Sequence, residues 1–331
     1  MPTDSDRLRE ELRVCLPSLV LERALAPSGQ RVVYLAHFDD SLIPDEVRRA
    51  EALKVQELDI DDPDDHPFLL GWEAWGQVVV KVVSDANNDT IMRLEAEVDL
   101  LAALRPANFP KLHYANLFRN NPETEEPLDK RLYISIEEFI PGDSLEQIWL
   151  QYTGDEQRIA RMALGIANAL MPLWVHPQRY VHRDIKPPNI LIRPNGDVVV
   201  IDLGVVRETG AKGLTETGFV APHTPGFAAP EQYKEERALI CFKADFFAIG
   251  VVMYQLMSGK NPFWYDPNMD RFDVYVATAK HNPPPLSACA GASQAFSDFV
   301  ERAMRKVQAE RHRTPDIFVS ELEALCGLSK N

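Results

Sequence analysis

The segment from Val181 to Leu191 constrains the fold of this chain more than any other stretch, because it gathers three different polar side chains on one short loop. They are Asp184, Lys186 and Asn189. The aspartate can accept or orient a hydroxyl proton, the lysine can neutralise a phosphoryl group in transfer, and the asparagine can offer an amide oxygen to a metal ion. Phosphoryl transfer depends on positioning and charge stabilisation more than on covalent chemistry, so these side chains suit it.

Two further charged residues adjoin apolar, β-branched stretches. Asp202 follows the apolar stretch 198–201, and a carboxylate at a strand end suits a hard divalent cation bound to phosphates. Lys81 lies inside the stretch 78–83, which predicts a buried strand. A buried lysine is costly unless it is paired, and Glu97 or Glu95 on the predicted helix 90–104 can supply the partner.

The order and spacing of these residues resemble those of the eukaryotic-type protein kinases. The match extends from about Val20 to about Leu325. The residues that carry it are, in order, Lys81, Glu97, His182, Arg183, Asp184, Asn189, Asp202, Leu203, Gly204, Ala229, Pro230 and Glu231. The resemblance implies an α+β, bilobal protein-kinase fold, with an antiparallel sheet and helix C in the N-lobe and a larger, mostly helical C-lobe.

The resemblance also implies a division of the chain into three parts. Residues 1–17 are expected to form a helical extension, 18–140 the N-lobe and 141–331 the C-lobe. The N-lobe carries an acidic insert at about 38–75, where the family has a short turn. Residues 38–66 contain eleven Asp or Glu against three Lys or Arg. This insert is either a solvated insertion, or a regulatory element or docking site for a basic partner.

Catalytic roles follow from the resemblance residue by residue. Asp184 is the expected catalytic base, with Lys186 beside it. Lys81 is expected to hold the α- and β-phosphates of ATP, and Glu97 to pair with Lys81 from helix C. Asn189 and Asp202 are expected to bind Mg²⁺, with Mn²⁺ as the alternative metal ion. ATP and a divalent cation are therefore the implied cofactors.

The adenine pocket is expected around the stretch that ends the N-lobe. Backbone groups of Glu138 and Ile140 would hold the base, and Glu137 would be the gatekeeper at the back of the pocket. Small-molecule pockets are lined mainly by apolar side chains, and three such side chains would sandwich the ring: Val33, Val79 and Leu191.

The phosphate-covering loop departs from the family pattern. Where the family has three glycines, this chain has Ala26, Ser28 and Arg31, and only Gly29 between them is a glycine. Glycines let backbone N–H groups approach phosphates closely, and Ala26 and Ser28 are small enough to keep much of that approach. We therefore expect Ala26, Ser28 and Gly29 to contact the nucleotide. Arg31 either contacts a phosphate or points into solvent.

The acceptor class follows from the catalytic loop. Lys186 followed by Pro187 resembles the serine/threonine branch of the family. Thr224 lies in the segment that would receive the residue after the acceptor, and it would there bond to Lys186 and Asp184. A protein substrate with serine or threonine acceptors is the implied partner.

Regulation would act on the activation segment. Arg183 beside the catalytic aspartate marks the kinases that are often controlled by phosphorylation of this segment. A phosphate on Thr215 or Thr217 would pair with Arg183 and order the loop, or these threonines are simply loop residues. A homodimer that phosphorylates itself in trans is compatible with such control.

Two other family positions are structural. Glu231 would close the activation segment by pairing with Arg311. Asp245 resembles the buried aspartate that begins helix F and supports the catalytic loop.

Composition restricts the partners. The formal net charge is -15 and the sequence pI is about 5.0, which argues against binding to nucleic acid or to anionic membranes. Apolar runs are too short for a membrane span, and the amino terminus has no secretory signal. The four cysteines are scattered without a CxxC pair, which indicates reduced thiols. These features together predict a cytoplasmic protein.

Three functions remain open on the sequence. The first is an active serine/threonine protein kinase. The second is a pseudokinase, a nucleotide-binding scaffold with little turnover, which the altered glycine loop favours and the intact catalytic residues oppose. The third is a small-molecule kinase of the same fold, which the segment Ala229–Glu231 and the pair Lys186 and Pro187 oppose.

Overall fold

The protein is described by a computed structural model that covers residues 4–25, 31–43, 45–49, 71–85, 87–104, 108–122, 124–202, 224–233 and 240–328. The chain forms two compact units. The amino-terminal unit comprises Met1–Ala102 and Pro110–Phe139, and the carboxy-terminal unit comprises Ala103–Phe109 and Ile140–Asn331.

The amino-terminal unit is built on one five-stranded antiparallel sheet with the order β1-β2-β3-β5-β4. Its strands are β1 (Leu19–Ala24), β2 (Val32–Phe38), β3 (Val78–Ser84), β4 (Leu112–Asn120) and β5 (Pro127–Glu138). Its two long helices are α1 (Asp4–Cys15) and α2 (Asn88–Leu104), and 3₁₀ turns lie at Asp40–Leu42 and Trp72–Trp75.

The sheet has two different faces, because successive side chains of a strand point to opposite sides. We call the first the apolar face: Val78, Val80 and Val82 of β3 lie there, fully buried. Leu8 and Leu12 of α1 belong to the same hydrophobic cluster. The predicted amino-terminal helix therefore packs on this sheet and is part of its core.

Lys81 and Val83 of β3 point to the opposite side, which we call the charged face. Helix α2 packs there through a small cluster that contains Val83, Ile91 and Leu94. Glu97 lies one turn beyond Leu94, so that it faces the sheet.

The acidic insert is tied to the sheet at both ends of its described part. Oδ2 of Asp40 accepts a hydrogen bond of 2.8 Å from the backbone N–H of Gly71. Trp72 is buried and stacks on Trp75 at 4.7 Å between ring centroids, and both rings meet Phe38 edge-on. Residues 45–49 are helical, and the rest of the insert lies outside the described residues.

The carboxy-terminal unit is mostly helical. Its helices are α3 (Leu145–Ile148), α4 (Glu156–Val175), α5 (Lys243–Ser258), α6 (Arg271–Lys280), α7 (Leu286–Cys289), α8 (Gln294–Ala303) and α9 (Pro315–Leu325). Its short antiparallel sheet has the order β6-β7-β8, with β6 (Asp143–Ser144), β7 (Ile190–Ile192) and β8 (Val198–Val200). The expected α+β class, antiparallel first sheet and mostly helical second part are confirmed.

The core of this unit forms around α5, which is buried along most of its length. Phe246 of α5 stacks on Phe318 of α9 at 4.1 Å, and Trp174 of α4 meets Phe246 edge-on. Gly165 of α4 faces Val198 of β8 so closely that a Cβ atom would come within 2.6 Å of a Val198 methyl group. This packing holds the β7–β8 hairpin, and with it the loop before β7, against the core.

In the described ranges, none of the helices is long and apolar enough to cross a membrane.

Candidate active site

The loop before β7 brings Asp184 and Asn189 together, as the sequence predicts. The amide nitrogen of Asn189 donates to the backbone carbonyl of Asp184 at 3.0 Å and to its carboxylate Oδ2 at 3.1 Å. The 3₁₀ turn Pro187–Asn189 places the amide there, and two prolines stiffen it. Because both bonds use the amide nitrogen, the amide oxygen of Asn189 is turned away from Asp184.

Thr224 connects the acid and the lysine of this loop. The Lys186 ammonium donates to the Thr224 hydroxyl at 2.9 Å, and that hydroxyl donates to Oδ1 of Asp184 at 2.7 Å. Lys186 also lies 2.8 Å from Oδ2 of Asp184. Both Asp184 oxygens are therefore held, so the carboxylate has a fixed direction.

Asp245 supports the loop from within the core. Its carboxylate accepts hydrogen bonds from the backbone N–H groups of His182 and Arg183 at 3.0 and 2.9 Å, and from the Trp174 indole at 2.9 Å. Burial raises the pKa of Asp245, although His182 and the three donors act in the opposite direction. Arg183 has φ +69°, a strained conformation for a residue with a side chain. Asp245 holds this strained turn in place directly before Asp184.

Asp202 lies beside Asn189 at the end of β8. The N–H of Ile201 donates to the carbonyl of Asn189 at 2.9 Å, which fixes the relation between the two predicted metal ligands. Asp202 has φ +68°, the second strained residue of this site. A carboxylate and an amide oxygen are the ligands that a hard divalent cation prefers, so the residue types and their placement fit magnesium.

The end of the activation segment is fixed by a buried ion pair. Arg311 donates to the two carboxylate oxygens of Glu231 at 2.6 and 2.8 Å, and to the carbonyl of Lys243 at 2.8 Å. The neighbouring Gln232 donates to the Arg183 carbonyl at 3.0 Å. The expected pair is present, and Gln232 links it to the catalytic loop.

On the amino-terminal unit the charges pair differently from the expectation. Lys81 forms an ion pair of 2.8 Å with Glu137 of β5, not with Glu97. The two terminal nitrogens of Arg31 instead donate hydrogen bonds to both carboxylate oxygens of Glu97. Arg31 is mostly buried in this contact, so the alternative that it points into solvent is wrong.

The strand register explains the new partner of Lys81. Opposite Lys81 on β5 lies Ser135, and opposite Val79 lies Glu137. Residues two apart on a strand share a face, so Glu137 is the diagonal neighbour of Lys81 and within reach of a long side chain. The sequence contained this signal, since an acid at a same-face position of the adjacent strand is a candidate partner for a buried lysine.

The predicted adenine-binding residues fall into both units. Val33 is opposite Lys81 on β2, and Val79 shares the face of Lys81 on β3, so the amino-terminal unit brings these three together. The N–H of Glu138 donates to the Lys111 carbonyl at 2.7 Å. In the carboxy-terminal unit, Ile140 is buried and Leu191 partly buried.

Several predicted residues lie outside the described residues. They are Ala26, Ser28 and Gly29 of the phosphate-covering loop, Leu203 and Gly204, and the threonines Thr215 and Thr217.

A family model described as "Protein kinase domain" matches residues 73–321. "Serine/threonine-protein kinase ppk11" of Schizosaccharomyces pombe is 31% identical over 235 residues, which are 71% of this chain and 69% of the relative. "Serine/threonine-protein kinase pkn3" of Myxococcus xanthus is 30% identical over 206 residues, 60% of this chain and 37% of the relative. "Probable serine/threonine-protein kinase PknB" of Bifidobacterium longum is 27% identical over 255 residues, 74% of this chain and 35% of the relative. The matches thus span about two thirds of the yeast relative and little more than a third of either bacterial one.

Proposed function

The chain belongs to the protein kinase family, on its serine/threonine branch, and we propose that it transfers the γ-phosphate of ATP to serine or threonine hydroxyls of a protein substrate. The observation that carries this proposal is the arrangement of Asp184, Lys186 and Thr224, which fixes a carboxylate and an ammonium group around one hydroxyl. A kinase must hold the hydroxyl of its acceptor in the same way, between a carboxylate that takes the proton and an ammonium group that neutralises charge.

In this reaction Asp184 orients the acceptor hydroxyl and takes its proton as the oxygen attacks phosphorus. Lys186 neutralises charge that develops on the transferring group. The Thr224 hydroxyl donates a hydrogen bond to one oxygen of the Asp184 carboxylate. The substrate hydroxyl would take over this position on Asp184. The bond between the γ-phosphorus and the bridging oxygen of ATP breaks, and ADP leaves.

Asn189 and Asp202 would hold magnesium, with manganese as the alternative. The cation supplies charge neutralisation at the phosphates when it is bound. Asn189 is prepared for this role, because its nitrogen is committed to Asp184 and its oxygen is left for a ligand. An aspartate at position 189 would place a second negative charge beside Asp184 and lose both hydrogen bonds.

Lys81 would bind the α- and β-phosphates, and Val33, Val79 and Leu191 would contact the adenine ring. The N–H of Glu138 donates to the Lys111 carbonyl, so the Glu138 carbonyl would accept a hydrogen bond from adenine. Its counterpart would be the N–H of Ile140.

A pseudokinase remains the second candidate, because one specific observation favours it. Lys81 pairs with Glu137 and Glu97 pairs with Arg31, so the pair of Lys81 and Glu97 that the family resemblance implies is not formed among the described residues. The ordered contacts of Asp184, Lys186 and Asn189 favour the active enzyme.

The test is phosphate transfer from γ-labelled ATP, with magnesium and a generic protein acceptor, by the wild-type chain and by Asp184→Asn. The variant preserves the size of the side chain and removes the base. We expect label on serine and threonine that disappears in the variant. Nucleotide binding without label in the wild type would reject the kinase and support the pseudokinase.

Self-phosphorylation is tested by mixing. Wild-type chain incubated with a tagged Asp184→Asn chain should label the inactive chain if transfer occurs in trans between two copies. Mapping would then show whether Thr215, Thr217 or Thr224 carries the phosphate. Label confined to the wild-type chain would exclude transfer in trans.

A further inference from the structure

The charged face of the amino-terminal sheet holds two buried ion pairs where the family resemblance implies one. Arg31 and Glu97 form the first, with side chains 10% and 7% exposed, and Lys81 and Glu137 form the second, at 8% and 7%. Buried charges are retained only when they are paired. Each of the four charges therefore has a partner of opposite sign on this face.

Arg31 directly precedes β2 and is two residues before Val33, so the two side chains point to the same face of the sheet. Val33 is directly opposite Lys81. Arg31 therefore lies on the charged face, where α2 presents Glu97. An arginine is suited to this contact, because its planar guanidinium matches both oxygens of a carboxylate at once. The bidentate contact joins α2 to the strand that follows the phosphate-covering loop.

Glu97 has both oxygens committed to Arg31. If Lys81 were to take Glu97 as its partner, Arg31 would lose a buried carboxylate and Glu137 would lose its cation. The pairing shown satisfies all four charges, whereas the expected pairing leaves Arg31 and Glu137 to be satisfied otherwise. The observed ion pairs are therefore favoured over the expected ones on this face of the sheet.

We propose that Arg31 and Glu137 are positioning residues of the nucleotide site: Arg31 fixes α2 through Glu97, and Glu137 fixes the ammonium group of Lys81. This inference rests on the proposed function, since it assigns Lys81 to the phosphates of ATP. Two positions that the family fills with a glycine and a gatekeeper thus carry the charges that organise this site.

Double-mutant cycles test the pairing without any need for activity. The variants are Arg31→Ala, Glu97→Ala, Lys81→Ala and Glu137→Ala, with the doubles Arg31/Glu97, Lys81/Glu137 and Lys81/Glu97. The free energy of urea unfolding is measured for each. We expect the first two doubles to lose no more stability than the worse single variant, and the losses in the third to add. Non-additivity in Lys81/Glu97 alone, with Arg31→Ala silent, would overturn the proposal.

Nucleotide kinetics separate positioning from mere stability. We expect Glu137→Gln and Arg31→Ala to raise the KM for ATP at least about tenfold, and Arg31→Lys to restore part of the loss by keeping the charge. Glu95→Ala on the exposed side of α2 and Arg23→Ala at the exposed end of β1 are the matched controls, both expected to match wild type. An unchanged or lowered KM in Glu137→Gln would show that Glu137 does not position Lys81 for ATP.

The two failures are distinguishable. If the chain transfers no phosphate, the proposed function fails, while the unfolding cycles still report which charges are paired. If the chain transfers phosphate and the KM for ATP of Arg31→Ala and Glu137→Gln equals that of wild type, the proposed kinase activity is supported. The positioning roles of Arg31 and Glu137 are then rejected.

Discussion

The Thr224 hydroxyl donates a hydrogen bond of 2.7 Å to Oδ1 of Asp184. A residue 40 positions further along the chain thus touches the atom that would accept the substrate proton. Since Lys186 donates to the same hydroxyl, Thr224 sets the distance between the acid and the lysine. The side chains of Asp184, Lys186 and Thr224 therefore form one hydrogen-bonded network.

Removal of this hydroxyl should slow the chemical step. Thr224→Val keeps the shape of the side chain and leaves Lys186 and Asp184 without their shared partner. We expect kcat to fall by about 10- to 100-fold with the KM for ATP nearly unchanged, and Thr224→Ser to retain most of the activity. Steady-state kinetics on one protein acceptor measure both values. A kcat of Thr224→Val equal to that of wild type would contradict the role given to the hydroxyl.

The pair Glu231 and Arg311 should matter for stability. Arg311 is fully buried and makes two bonds to Glu231, so Arg311→Ala would leave a buried carboxylate without a partner. We expect the free energy of unfolding to fall by about 3–5 kcal/mol. The matched control is Arg302→Ala, which breaks a partly exposed pair with Glu321 and should cost no more than about 1 kcal/mol. Equal losses in the two variants, measured by urea unfolding, would refute this difference.

His312 should make the protein sensitive to acid. Burial lowers the pKa of His312 to about 3, and the positive charges of Arg302 and Lys243 act in the same direction. The ring packs on Phe299 at 4.6 Å. It also lies 3.2 Å from Glu321, which favours protonation, but that carboxylate is partly exposed whereas the ring is buried.

The sign follows from linkage. An unfolded histidine titrates near about 6.5, so between that pH and about 3 the unfolded chain holds a proton that the folded chain does not. The free energy of unfolding therefore falls as the pH falls through this window, by up to about 1.4 kcal/mol per pH unit. His312→Leu should flatten this slope between about pH 6 and 4. A slope in His312→Leu that equals wild type would exclude His312 as its source.

Helix α1 should contribute to the stability of the amino-terminal unit. Leu12 is fully buried in the cluster of the apolar face. We expect Leu12→Ala to lower the free energy of unfolding by about 2–5 kcal/mol, because it removes apolar contacts and leaves a cavity. Arg13→Ala on the exposed side of the same helix is the control. A Leu12→Ala chain as stable as the control would show that α1 is dispensable.

The carboxy-terminal part of the site was more predictable than the amino-terminal part. Asp184, Lys186 and Asn189 lie on one short loop, where chain geometry alone keeps them close. Their contacts with Thr224, and the pair Glu231 and Arg311, follow the order of motifs that the sequence displays. Short loops and ordered motifs leave few alternatives.

The ion-pair partners of Lys81 and Glu97 could not be predicted from loop length or from the order of motifs. Several acids and one further cation compete on the same face, and the choice depends on strand register and on the reach of an arginine. The expected pairing follows the family pattern, which has a glycine where this chain has Arg31 and therefore no competing charge at that position. Two residues outside the catalytic motifs, Arg31 and Glu137, therefore account for the two exchanged ion pairs.

In the five-stranded sheet, β1 and β4 were not predicted from pattern. β1 carries Glu22 and Arg23, and β4 carries several polar residues that remain partly exposed. Strands of this kind lack the apolar, β-branched run that marks β3. Pairing with a neighbour, rather than local preference, makes them strands.

The strand order β1-β2-β3-β5-β4 has a practical consequence for anyone who shortens this protein. The family match begins at residue 73, after both β1 and β2, so a chain trimmed to residues 73–321 would lose two of the five strands together with α1 and Arg31. β3 would then become an unprotected edge, with its hydrogen-bonding groups and Val78, Val80 and Val82 open to other molecules. Such edges template aggregation, and an insoluble fragment would say nothing about whether the intact chain phosphorylates anything.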